Sequence, residues 1–136
     1  MPTWSETPIY LAKCQNDVTA VAASSIANYT IFTPDSSVGG AVTAINVYSK
    51  GAAGAVTGRL EIVESATAYI LWRGNVGGAQ YSNMNLLKAA NIPFIDDNEP
   101  MLRLEPGQTL RLAVENSVNN ALDVIVAGGS FLYPNP

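Results

Sequence analysis

Apolar and polar residues alternate in short runs along most of the chain, and the cleanest is Thr109-Leu110-Arg111-Leu112-Ala113-Val114-Glu115. A period of two sets Leu110, Leu112 and Val114 on one face, with Arg111 and Glu115 on the other, as in a half-buried β-strand. Arg59-Leu60-Glu61-Ile62-Val63-Glu64 repeats the pattern with Leu60 and Ile62 facing one way. In Thr43-Ala44-Ile45-Asn46-Val47-Tyr48, Ile45 and Val47 share a face with Thr43, opposite Ala44, Asn46 and Tyr48. The runs 67–73, 122–127 and 29–33 are rich in the β-branched and aromatic residues that suit pleated surfaces. Ile9-Tyr10-Leu11-Ala12 is a further candidate strand. Residues 18–27 fit a helical turn or a smooth strand, and Val18, Thr19, Val21 and Ile26 favour the strand. Ser82 to Ala90 fits a short helix capped by Ser82 and stopped before Pro93.

Turn chemistry separates these runs. Ser36-Ser37-Val38-Gly39-Gly40, Gly51-Ala52-Ala53-Gly54, Gly74 to Gly78 and Glu105-Pro106-Gly107-Gln108 all carry Gly, Pro or Ser where tight turns need them. Asn116-Ser117-Val118-Asn119-Asn120 predicts a hairpin between the last two strong strands. The expected fold is all-β, about eight strands in a sandwich or barrel. The chain of 136 residues suits one domain, 1–136, in which residues 1–8 are a poorly patterned stretch bracketed by Pro2 and Pro8 and expected to extend as an arm.

Composition narrows the chemistry. The chain has no histidine, so a Ser-His-Asp or Cys-His site cannot be assembled from it alone, and Ser24 and Ser25 have no imidazole to activate them. Cys14 is the lone cysteine, excluding an internal disulfide, and is expected to pack as a small buried residue. Asp96-Asp97-Asn98-Glu99 lacks the alternating spacing of a calcium loop and reads as a solvated turn. Glu61, Glu64, Glu105 and Glu115 could only be paired for glycosidase chemistry by the fold; Glu61 and Glu115 are expected to face outward on alternating strands. Gly51 to Gly58 is glycine-rich without the Gly-Lys-Ser/Thr ending of a phosphate loop. Trp4, Trp72, Tyr10, Tyr48, Tyr69, Tyr81 and Tyr133 suit either a sugar-stacking platform or packing. No catalytic residue, cofactor site or metal site is expected.

Charge acts in the same direction. Seven basic and eleven acidic residues give a net charge of −4, and no two basic residues are adjacent, against the basic footprint of a nucleic-acid binder. No segment has the ~18 apolar residues of a membrane-spanning helix. Met1 to Glu6 lacks the basic and apolar regions of a signal peptide, so the Asn28-Tyr29-Thr30 sequon is expected to stay unmodified. Charged residues make up 13% of the chain, about half the usual ~25%. Low charge lowers the desolvation cost of protein–protein contacts.

Several stretches together resemble phage virion proteins. They are Thr3-Trp4-Ser5-Glu6-Thr7-Pro8, Asn28 to Thr33, Val42 to Ser49, Val56 to Leu60, Tyr69-Ile70-Leu71, Leu104-Glu105-Pro106-Gly107-Gln108-Thr109 through Val114, and Val126 to Phe131. The chain is similar to the minor capsid or head decoration (cement) proteins of tailed bacteriophages. That resemblance implies a jelly-roll-like β-sandwich, non-enzymatic, homotrimeric, and bound to the major capsid protein on the outside of the head. A tail, baseplate or fibre module would share the fold. A carbohydrate-binding module is the alternative outside the virion, and an enzyme working with carboxylates alone is the least favoured.

Overall fold

The computed structural model describes residues 11–22, 26–52, 55–89, 101–116 and 121–131. Nine strands run in chain order: β1 (Leu11–Val21), β2 (Asn28–Phe32), β3 (Gly40–Ser49), β4 (Thr57–Glu64), β5 (Thr67–Asn75), β6 (Asn83–Asn85), β7 (Leu102–Leu104), β8 (Thr109–Val114) and β9 (Leu122–Phe131). One short helix, α1 (Leu86–Ala89), follows β6. The strands form two antiparallel sheets: β1-β9-β3-β6 with β7 also on β3, and β2-β8-β4-β5.

The pairings explain the layout. β1 pairs with β9, β2 with β8, β3 with β7 and β4 with β5. The chain is thus one long antiparallel hairpin whose arms wrap over each other, sealed by the β3–β9 and β4–β8 ladders. This is jelly-roll connectivity, a sandwich in which most links cross from one sheet to the other. The turn at the hairpin tip is Ser65-Ala66, both at positive φ (49° and 66°). Two such residues make the type I′ geometry that matches the twist of paired strands.

The core forms where the two inner faces meet. Leu60 from β4 and Leu110 and Leu112 from β8 are fully buried, as are Ile45 from β3 and Leu122, Val124 and Val126 from β9. Leu60 lies opposite Leu112 and Ile62 opposite Leu110, so alternation in both strands delivers one continuous apolar layer. Burying each such side chain is worth about 1.5–3 kcal/mol.

Three expectations about local structure change. The loop after β8 is not a hairpin: β8 belongs to the second sheet and β9 to the first, so the chain crosses the sandwich there. Polar turn residues mark a reversal of direction equally well in either case. The segment expected as a helix from Ser82 begins instead as β6, paired with Asn46 to Tyr48 of β3. Its helical part is α1, where the Asn85 side-chain oxygen, rather than Ser82, accepts the N–H of Leu87 at 3.1 Å. Leu86 and Leu87 are fully buried, so tertiary packing sets the position of the turn. β9 continues four residues beyond the expected Ala127, through two glycines. A Cβ at Gly128 would stand 2.2 Å from the carbonyl oxygen of Ala41, so only glycine permits this approach of β3.

Of the stretch 18–27 expected as strand, residues 18–21 extend β1, whereas Ala22, Ile26 and Ala27 lie outside any strand; Leu11 and Ala12 open β1. The short β7 is not among the expected strands, because the three residues of its Leu-Arg-Leu alternation are too few to establish a period. Residues 1–10 lie outside the described residues, so the expected arm and the start of the candidate strand at Ile9 are not among them. No helix among the described residues is long and apolar enough to cross a membrane.

The tip turn gives a stability test. Ala66 pays the left-handed steric cost of about 1–2 kcal/mol, whereas glycine's extra freedom in the unfolded chain costs about 0.4–1 kcal/mol. Ala66→Gly should therefore stabilise the fold by about 0.5–1 kcal/mol, seen as a higher urea midpoint with an unchanged slope.

Candidate interaction surfaces

The outer face of the β2-β8-β4-β5 sheet carries a ladder of alternating charge. Register places Arg111 opposite Glu61 and Arg59 opposite both Ala113 and Arg73. Arg111 Nε donates to Glu61 Oε1 at 2.9 Å. Arg59 Nε lies 3.4 Å from Glu61 Oε2, and its Nη1 lies 3.9 Å from Glu115 Oε2. Arg73 closes the ladder with two bonds to Glu115, 2.8 Å from Nε and 3.2 Å from Nη2. Hydrogen bonding from the Arg73 side chain, reinforced by the charges of Arg73 and Arg59, holds the Glu115 carboxyl below the ordinary glutamate value of 4.5. The same contact raises Arg73.

Glu61 faces outward as expected, but the outer face encloses it. It projects from the outer face, as alternation requires, yet is only 3% exposed. Its two arginine neighbours occupy the space that water would take, and long arginine stems readily cover a sheet surface. Glu115, expected to face outward, does so and is half-buried in the same ladder. Glu61 and Glu115 are therefore each committed to arginine. Glu64 is exposed beside the tip turn, and Glu105 is exposed in the loop before β8.

The remaining sequence candidates are dispersed. Among the described residues, no group of three or more His, Cys, Asp or Glu side chains could hold a metal. Ser24, Ser25, Asp96 to Glu99, Trp4, Tyr10 and Tyr133 lie outside the described residues, as do Ala53 and Gly54 of the glycine-rich stretch, which is followed by β4 rather than a helix. Tyr48 meets Tyr81 with ring centroids 6.4 Å apart at 31°. Tyr69 and Trp72 belong to β5 in the other sheet, so these aromatics do not share one platform. Arg103 stacks over the Phe131 ring at 5.6 Å, and Lys50 pairs with Asp123 at 3.4 Å.

The outer face of the other sheet is smooth. Cys14, Asn16, Val18 and Ala20 of β1 lie opposite Gly129, Ala127, Ile125 and Asp123 of β9. Ala44 and Asn46 of β3 continue the Ala127 and Ile125 rows. Val18 is 67% exposed and Ile125 39% exposed. Cys14 is exposed too, contrary to the expected buried position, because β1 is at the sheet edge and this face has no covering layer. The signal for this surface lies in β1 itself: neither alternation, Cys14-Asn16-Val18-Ala20 or Lys13-Gln15-Asp17-Thr19, carries the large apolar residues of a core strand.

Beside β1, an open groove of about 380 Å³ lies between Lys13, Gln15, Pro34, Asp35 and Ser130. Asp35 and Ser130 there hold the β2–β3 loop. The Asp35 N–H donates to Ser130 Oγ at 2.9 Å, and the Asp35 carboxylate accepts the Ser37 N–H at 2.8 Å. The Ser37 hydroxyl, then its N–H, lower the Asp35 pKa, with a smaller contribution from the charge of Lys13.

The chain matches no protein-family model and no curated protein. Among solved structures it is similar to a pentameric capsid protein isolated from metagenomic phage sequences, at 18% identity and a TM-score of 0.41. That similarity covers 85% of this chain and 61% of the capsid protein, so the chain spans less than two thirds of its length.

The ladder makes two predictions. Glu61→Ala leaves Arg111 and Arg59 without their shared carboxylate; because those side chains are 25% and 32% exposed, water recovers part of the loss. The expected destabilisation is about 2 kcal/mol, below the 3–5 typical of a fully buried pair, read from urea unfolding. Glu115 binds its proton less tightly when folded, so its contribution is complete above 4.5 and disappears as pH falls through the depressed folded value. Arg73→Gln should therefore lower stability at about pH 7, and the deficit should shrink as pH falls below 4.5; a deficit that does not change with pH would contradict the assignment.

Proposed function

We propose that this protein is a non-enzymatic structural component of a tailed-phage virion, a decoration protein that binds the major capsid protein on the outer head surface as a homotrimer. The observation that carries this reading is the division of labour between the two outer faces. One face has its arginines and glutamates paired with each other, while the other presents small residues around exposed Val18 and Ile125. A surface with few charges to desolvate suits close contact with another protein. The jelly-roll connectivity supports the reading only in kind, since the same fold also serves lectins. The virion resemblance of the sequence selects between them.

In this reading the smooth face lies against the head, and residues 1–8 reach towards a neighbouring subunit. Three linked copies would turn weak individual contacts into firm attachment by avidity. Purified protein added to capsids stripped of their outer proteins should appear as density at the three-fold positions of the head. Removal of residues 1–8 should weaken that attachment. Density confined to the tail would replace this reading with a tail or baseplate module, and saturable binding to a glycan array without capsid binding would replace it with a carbohydrate-binding module.

A further inference from the structure

β1 is eleven residues long and, among the described residues, forms a ladder only with β9; its other edge has no ladder partner, and Thr33, just after β2, bonds only to the Gln15 and Asp17 side chains beside it. An open edge presents a row of backbone donors and acceptors that readily accepts another strand. The side chains along this edge carry one charge of each sign. Lys13 and Asp17 are four residues apart and therefore on the same face of the strand. Neither makes an ion pair with any described residue; Asp17 accepts hydrogen bonds from Gln15 Nε2 at 3.1 Å and from the Thr33 N–H at 3.4 Å.

We infer that the open edge of β1 pairs with β1 of a second copy, antiparallel about a two-fold axis at Gln15. The charges select both the occupant and the register. Antiparallel pairing centred on Gln15 sets Lys13 opposite the partner's Asp17, and Asp17 opposite the partner's Lys13. Centring on Lys13 or on Asp17 sets like charges directly opposite, which is destabilising. Centring on Cys14 or Asn16 sets Lys13 or Asp17, respectively, opposite Gln15 and leaves the opposite charges unmatched. Among centres from Lys13 to Asp17, only Gln15 satisfies both charges twice over. It is also an isologous contact, the commonest way for identical chains to join. The two-fold axis runs through the sheets, so the five-stranded sheets of the two copies become one, and their smooth outer faces become a single surface of twice the extent.

Cross-linking of the full chain tests the register, and it does so in the protein alone, independently of any capsid reading. In a Cys14→Ser background, Gln15→Cys places identical positions opposite each other and should yield, on mild oxidation, a species of twice the 14.3 kDa chain mass. Val18→Cys in the same background should not, since two copies of Val18 are separated by six residues of register, about 20 Å. Adding Lys13→Asp should reduce cross-linking about tenfold by turning two attractions into two repulsions, and Lys13→Asp with Asp17→Lys should restore it. Lys13→Asp in the otherwise unmodified chain should also lower the sedimenting mass, leaving any three-fold association of the chain intact. Equal cross-linking at Gln15→Cys and Val18→Cys, faster linking through native Cys14, or insensitivity to Lys13→Asp would each overturn the inference.

Discussion

The layer of Leu60, Leu110, Leu112, Ile45, Val124 and Val126 between the sheets is the constraint on which the other features depend. Its apolar residues come from strands distant in sequence, β3 and β4 meeting β8 and β9. Each strand can supply that layer from one face only, because the side-chain period is two. The opposite faces and the sheet edges are thereby released from the core, and they differ greatly in how they are finished.

On β4, β5 and β8 the outer face is finished with charge. An isolated exposed ion pair contributes about 0–1 kcal/mol, and the Arg73–Glu115 pair alone would count for little. Sharing changes that balance. Glu61 holds Arg111 and Arg59, and Arg59 extends to Glu115, so each partner helps to fix the next. The result uses three of the seven basic residues on one face. With so few charges in the chain, that concentration leaves the outer face of β1, β9 and β3 mostly to small, amide and apolar residues, Asp123 excepted. Low overall charge is therefore distributed unevenly, and the unevenness distinguishes a surface that stays in water from one suited to contact.

Alternation made several strands legible before their partners were known. Leu110, Leu112 and Val114 lie inward as their spacing requires, and Ile45 and Val47 do the same. Pairing was not legible, because period two identifies a face without naming what covers it. The same limit accounts for the loop after β8, for Glu61 and for Cys14. Asn116 to Asn120 marks a turn whether the chain pairs with itself or crosses the sandwich. Glu61 alternates outward, but whether arginines close over it depends on β8 lying beside β4 in a particular register. A cysteine between Lys13 and Gln15 resembles a small core residue until β1 is seen at an edge. The helix expected from Ser82 gave way to β6 because three residues of β3 recruit it into the sheet, a tertiary pairing that local capping preferences do not encode.

Edges complete the picture, since a rolled sandwich, unlike a closed barrel, always has them. β6 and β7 limit one side of their sheet by brevity, three residues each, too short to template a long added strand. β2 is five residues long and carries a register shift between Thr30 and Phe32, both of which interrupt an extended edge. β5 is longer, but the ring of Trp72 lies so close to Gly74 that a Cβ there would meet it at 2.4 Å, and the aromatic covers a backbone that glycine leaves bare. β1 has none of these protections along its central residues: its register shift falls at its beginning, between Leu11 and Lys13, and the ladder beyond runs unbroken to Val21. Its one lysine is accompanied by an aspartate on the same face, so the charge that would repel another strand is offset by one that attracts it. An edge left long and regular, bordering a face with few charges, makes assembly through the first sheet physically consistent with the self-neutralised surface of the second.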